Sequence, residues 1–182
     1  MSTNPANICH KFRNWLNNES GLAWNQSAND WTPRIKEFFG KLGKKSGFHP
    51  IFTSNTENEY LVDIVWRVNG ASRYLALVME SELSRRTVDI LEDFEKLVDI
   101  KARLKIGLFQ LRPRANMDKI LEKMKDVLDS QMIVLPKETY LIIFLRYDDE
   151  NKEILLHAYD LDIKGARHEK VYGDSFPFPK SQ

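Results

Sequence analysis

Two carboxylates stand where carboxylates are costly. Asp63 lies between Leu61-Val62 and Ile64-Val65-Trp66, and Glu80 closes the run Leu75-Ala76-Leu77-Val78-Met79 ahead of Ser81-Glu82. A charged group in an apolar run needs a cation or a hydrogen-bond network to offset its desolvation. Between the runs lies Asn69-Gly70, the strongest short-range hairpin signal, so residues 59–67 and 73–82 are expected to pair antiparallel. A two-residue turn sets Asp63 opposite Ala76 and Glu59 opposite Glu80. A wider loop sets Asp63 opposite Val78, one step from Glu80. In either register the period-two alternation puts Asp63, Glu80 and Glu82, with Glu59 a further candidate, on one face. Clustered acids raise one another's pKa until a cation intervenes, and hard oxygen ligands suit Mg²⁺ or Mn²⁺. A divalent-metal site is the simplest chemistry; solvated edge acids or ion-pair partners are the plain alternative.

At these residues the chain resembles the PD-(D/E)XK nuclease superfamily. Its restriction-endonuclease-like core carries an Asp on one strand of a hairpin, Glu-x-Lys at the end of the next, a following helix, and often a Glu on an earlier helix. Asp63 matches the first acid, Glu80 the second and Glu37 the helical, supporting acid, so the resemblance spans residues 31–111. The motif lysine is replaced by Glu82, giving Glu80-Ser81-Glu82. The resemblance implies that Glu82 acts on the attacking water, or that the lysine has moved to Lys96 in Asp93-Phe94-Glu95-Lys96-Leu97. The helical wheel opposes the second option: at ~100° per residue Lys96 falls about 160° from Phe94, away from the face of Ile90, Leu91, Phe94, Leu97 and Val98. Lys101 falls on the apolar face, late in the helix.

What the resemblance implies for function is a Mg²⁺-dependent (or Mn²⁺-dependent) nuclease acting on nucleic acid, DNA before RNA. Asp63, Glu80 and the carbonyl of Ser81 would hold the metal, and Asp63, Glu80, Glu82 and Lys96 would form the catalytic set. The competing expectation is an inactive binding or regulatory module on the same fold, motivated by the missing lysine. The apolar N-terminal residues Ile8, Phe12, Trp15 and Trp24 would then form a partner or homodimer surface, or else simply pack into the core.

The elements that must position these residues follow from periodicity. Residues 5–18, with Ile8, Phe12, Trp15 and Leu16, read as a peripheral helix within an N-terminal segment 1–30. A second helix begins near Trp31-Thr32-Pro33, with Thr32 as cap and Pro33 in the first turn, and runs to about Gly43 with Ile35, Phe38, Phe39 and Leu42 inward. A strand starts at His49-Pro50. After the hairpin come a helix from Ser84 or Thr87 to about Ala102, a strand at 104–110, an amphipathic helix at 116–131, and strands at 139–146 and 153–159. From 164 to 182 the pattern is lost and an extended tail is expected. This order cannot form an all-parallel sheet. The expected fold is one α/β domain over 1–182, a three-layer α/β/α sandwich around a mixed sheet of about five or six strands, restriction-endonuclease-like by resemblance.

With 182 residues, 42% hydrophobic and 29% charged, the chain has the composition of a soluble globular domain. No run approaches the ~20 apolar residues of a membrane helix, the start lacks a signal peptide's regions, and lone Cys9 forms no internal disulfide, so a cytoplasmic protein without membrane partners is expected. Net charge is only +1, but residues 33–45 hold Arg34, Lys36, Lys41, Lys44 and Lys45 against Glu37 alone. Arg34, Lys36 and Lys41 are the candidate nucleic-acid contacts, and Arg112-Pro113-Arg114 is a second basic loop. The four histidines lack ligand spacing, and phosphate-binding glycine loops and a serine-hydrolase elbow are absent from the sequence.

Overall fold

The computed structural model describes residues 3–18, 28–52, 62–68, 75–130, 138–148, 150, 153–161 and 168–177. Among the described residues four helices and seven strands follow in the order α1 (Pro5–Asn18), α2 (Ala28–Lys45), β1 (Phe48–Phe52), β2 (Ile64–Val68), β3 (Leu75–Glu82), α3 (Thr87–Asp99), β4 (Leu104–Leu111), α4 (Met117–Ser130), β5 (Thr139–Asp148), β6 (Glu153–Leu161) and β7 (His168–Pro177). The strands form one mixed sheet in sequence order. β1–β2–β3 is an antiparallel meander, β3–β4–β5 is parallel, and β6 and β7 return antiparallel. The parallel strands need crossovers, supplied by α3 and α4.

Strand β4 is buried at every position and β5 at its six central ones, as expected for central strands covered on both faces. Alternation divides their side chains. Leu104, Ile106, Leu108, Leu141 and Ile143 join α1 and α2 in one core, whereas Phe109, Leu111, Ile142 and Phe144 pack with Ile90 and Phe94 of α3 and Ile120, Leu121 and Met124 of α4 in another. Helices therefore cover both faces of the sheet, and the class is α/β.

Helix α2 approaches β2 closely: a Cβ on Gly43 would lie 2.8 Å from Trp66 Nε1, so only glycine fits beneath the indole. The helix ends where Gly47 adopts φ 79°, a left-handed C-terminal residue that turns the chain into β1.

Four expectations need correction. Helix α1 is no peripheral segment: Phe12 is fully buried and stacks on Trp15 at 5.5 Å between ring centroids, in the core shared with α2 and the sheet. Helix α2 starts at Ala28, so Thr32 is not its cap and Pro33 lies inside it; a proline in the second turn forfeits one intrahelical hydrogen bond, and Trp31, Ile35 and Phe39, all buried, hold the segment helical. The tail expected from residue 164 contains β7, which pairs with β6 from Leu161↔His168 to Glu153↔Pro177; backbone pairing does not need the side-chain periodicity that was missing. Neither hairpin register is observed. Ile64 pairs with Met79, which sets Asp63 beside Glu80. The Asn69-Gly70 turn, Glu59 and Trp24 lie outside the described residues.

Candidate functional site

The β2–β3 pair brings the two acids together at the C-terminal end of β3. Asp63 immediately precedes β2, and its backbone N–H donates to Glu80 Oε2 at 2.7 Å. In return the Ser81 N–H and hydroxyl donate to Asp63 Oδ2 at 3.0 and 2.5 Å. Each carboxylate is thus fixed by the other's neighbourhood.

Cations approach from the helices on either side. Lys36 of α2 reaches Asp63 Oδ1 at 2.8 Å. Lys96 of α3 lies 3.6 Å from Glu80 Oε1 and 2.6 Å from Asp93 Oδ1. The wheel turned Lys96 away from the sheet, and that expectation is corrected. Measured from Phe94, which packs on Tyr140 of β5, Lys96 is indeed remote. Leu97, however, packs with Val65 and Val78 over the β2–β3 side, so α3 buries a wide stripe and the Asp93–Lys96 flank hangs over Glu80. A lysine stem is long enough to bring its ammonium back to the acids.

Glu80 is buried. Its neighbour on β4 is Gly107, over which the Phe109 ring folds. Burial first, then the charges of Asp63 and Asp93, pushes Glu80 up to about 8. Lys96 does little to oppose this, because its shortest contact goes to Asp93, the main cause that raises its own pKa. Asp93 is also raised, by burial against the pull of Lys96. Glu82 is half-buried, accepts a short hydrogen bond from the Ser84 N–H, and its charge is felt at Asp93.

Glu37 does not join the cluster. It is exposed and paired with Lys41 at 2.7 Å, which lowers its pKa. One residue is about 100° of helix, so with Lys36 turned to Asp63, Glu37 must face outward. Of the expected nucleic-acid contacts, Lys36 is engaged with Asp63, Lys41 with Glu37, and Arg34 stays on the exposed side of α2. The sequence reading missed Asp93 as a member of the site. An acid directly before Phe94, on the edge of the apolar stripe of α3, was its available signal. Lys36, expected as a nucleic-acid contact, pairs with Asp63 instead; nothing in the helix pattern tells which strand end it meets.

Asp63, Glu80 and the nearby carbonyl of Ser81 are hard oxygen donors, the chemistry that Mg²⁺ and Mn²⁺ prefer. Burial lifts Glu80 first and the charges of Asp63 and Asp93 add to it; a divalent ion would offset those charges. Among the described residues no group of three His, Cys, Asp or Glu side chains is set to hold an ion; a two-carboxylate site completed by backbone, water and phosphate is the pattern common for Mg²⁺. The donor set fits the ion.

No helix among the described residues is long and apolar enough to cross a membrane. No family model and no curated protein matches the chain. Among solved structures, it is similar to "Crystal structure of the central domain of yeast acetyl-CoA carboxylase" at 12% identity and a TM-score of 0.42, over 71% of this chain and 22% of that one. The chain spans about a fifth of that protein's length, and a likeness this weak bears on neither fold family nor function.

Proposed function

We propose that this protein is a Mg²⁺-dependent nuclease with a restriction-endonuclease-like fold, hydrolysing phosphodiester bonds of DNA at the Asp63–Glu80 site. The observation that carries the reading is the mutual hold of Asp63 and Glu80, 2.7 Å from N–H to Oε2, with the Lys96 ammonium 3.6 Å from Glu80 Oε1. That arrangement supports the Asp, Glu and relocated Lys of the variant motif. The order α2, β1–β3, α3, β4 supports the fold reading.

Asp63, Glu80 and the Ser81 carbonyl would hold a divalent ion, whose chemistry there would be to lower the pKa of water and offset phosphate charge. The chain's own groups do the rest. Ser81 and Lys36 orient the Asp63 carboxylate. Glu82, steadied by the Ser84 N–H, accepts the proton that water loses as its oxygen bonds to phosphorus. The P–O bond to the leaving alkoxide breaks, and that oxygen takes a proton from solvent. Lys96 stabilises the negative charge that builds on the phosphoryl oxygens.

The test is incubation of plasmid and single-stranded DNA with Mg²⁺ or Mn²⁺, beside an Asp63→Ala control. Metal-dependent cleavage by the native protein alone is expected; equal cleavage by both proteins means a contaminant and ends the reading. One observation favours a second reading, a non-catalytic binding module: both acids already have ammonium partners, Lys36 at 2.8 Å and Lys96 at 3.6 Å. A module of that kind takes up no Mn²⁺ in calorimetry and still retards DNA in a gel.

A further inference from the structure

The loops that leave the C-terminal ends of β3 and β4 enclose a cleft of about 340 Å³ lined by Arg85, Arg86, Thr87, Leu111, Arg112, Arg114 and Ala115. Four arginines line it and no acid does. Arg86 is partly engaged with Asp89 at 3.4 Å, while Arg85, Arg112 and Arg114 have no acidic partner among the described residues. Four exposed arginines around one cleft concentrate positive charge that an anion would offset. A folded chain gains nothing from that placement by itself.

Two further features point the same way. Helix α3, 13 residues long, opens at this cleft, and its N-cap residue Arg86 makes no side-chain cap. Its first-turn N–H groups therefore add positive potential where the arginines converge. Arg85 is the only non-glycine among the described residues with a left-handed backbone, φ 65°, a conformation that persists where the surroundings impose it. The Ser84 hydroxyl, hydrogen-bonded to Asp89 Oδ2 at 2.6 Å and accepting the Arg86 N–H at 3.3 Å, fixes the loop on both sides of it.

We propose that this arginine-lined cleft binds the phosphodiester backbone of DNA, beside the strand segment presented to Asp63 and Glu80. The choice of DNA as the polyanion rests on the nuclease reading. The reach suits it: Arg85 is five residues beyond Glu80, so their Cα atoms are at most ~18 Å apart, within about five base pairs of B-form DNA at ~3.4 Å each along the helix axis. Guanidiniums suit phosphate because they donate two parallel hydrogen bonds.

The test measures binding of a fluorescein-labelled 20-base-pair duplex in Ca²⁺ buffer as a function of salt, for the native protein and the variant Arg112→Ala/Arg114→Ala. Both residues are exposed, so circular dichroism melts should coincide. Removing one arginine–phosphate pair flattens the slope of log K against log salt by ~0.9 for B-form DNA. A slope reduced by about 2, with affinity down roughly 10- to 60-fold at 0.1 M salt and Mn²⁺ uptake unchanged, is the expected result. An unchanged slope overturns the cleft assignment even if the enzyme cleaves DNA, as does a native protein that binds no duplex. A reduced slope in a protein that never cleaves retains the cleft and removes the nuclease.

Discussion

The backbone N–H of Asp63 donates to Glu80 Oε2 at 2.7 Å, so the residue that supplies one acid also holds the other. Replacing Asp63 by Asn leaves that N–H in place and keeps an oxygen for Ser81, but removes the charge that faces Lys36. Asp63→Asn is expected to fold, with a melting temperature within a few degrees of native. Its Mn²⁺ affinity by calorimetry should fall at least ~10-fold, and cleavage with it. Native metal affinity in this variant would remove Asp63 from the ligand set.

Glu80 makes the metal-free protein sensitive to pH. Its pKa in the fold is pushed up to about 8 from an ordinary 4.5, so the folded state holds a proton that the unfolded state has released. The stability this contributes is complete below pH 4.5 and is lost as pH rises through about 8. Glu80→Gln can still accept from the Asp63 N–H and never ionises. In chelator at pH 8.5 it should be more stable than native by on the order of 2 kcal/mol, less than the full shift at ~1.4 kcal/mol per unit because a strained site relaxes. At pH 4 the two should melt together. Native Mn²⁺ binding near pH 7 should release about one proton, read as a calorimetric enthalpy that changes with buffer.

Lys96 separates catalysis from structure. Its ammonium pairs with Asp93 at 2.6 Å and lies 3.6 Å from Glu80, so Lys96→Met is expected to lower stability by about 1–2 kcal/mol at pH 8. If it also acts on the phosphoryl group, the rate at saturating DNA should fall ~100- to 1,000-fold, with Lys96→Arg restoring part of it. A loss of melting temperature with an unaltered saturated rate would leave Lys96 a structural cation.

Much of the sheet was legible because its causes are local. The unbroken apolar runs of β4 and β5 and the three-and-four spacing of α4 report burial directly, residue by residue. The acids were legible for the same reason, since a charge inside an apolar run is visible without knowing its neighbours. The register was not, because the β2–β3 pairing shifts between Trp66 and Arg67, and one residue of shift moves Asp63 against β3 without any mark in the apolar pattern. Lys96 was misjudged because a wheel centred on one core residue treats the buried face as a single direction, whereas α3 packs Phe94 over β5 and Leu97 over β2 and β3. Strand β7 was missed because its pairing is carried by backbone groups.

Lys105 tests the opposite end of the same strands, away from the acids. Its side chain is fully buried in β4, and its ammonium donates to Glu138 Oε2 at 2.9 Å, to the Tyr140 hydroxyl at 2.9 Å and to the Val98 carbonyl in the last turn of α3 at 3.0 Å. Burial lowers its pKa, against the pull of Glu138, yet three acceptors are too many to leave without a donor. Lys105→Ala leaves the Val98 carbonyl and the Glu138 charge without their cation and opens a cavity, so a loss of about 3–5 kcal/mol is expected. Lys105→Met, which restores the volume, should recover part of it. Because the amine ties α3 to β4 at the helix end remote from the Arg86 N-terminus, Mn²⁺ affinity and cleavage per folded molecule should stay native at 20 °C in the Met variant. A selective loss of metal binding there, without loss of fold, would mean that α3 is held in position over Glu80 by Lys105.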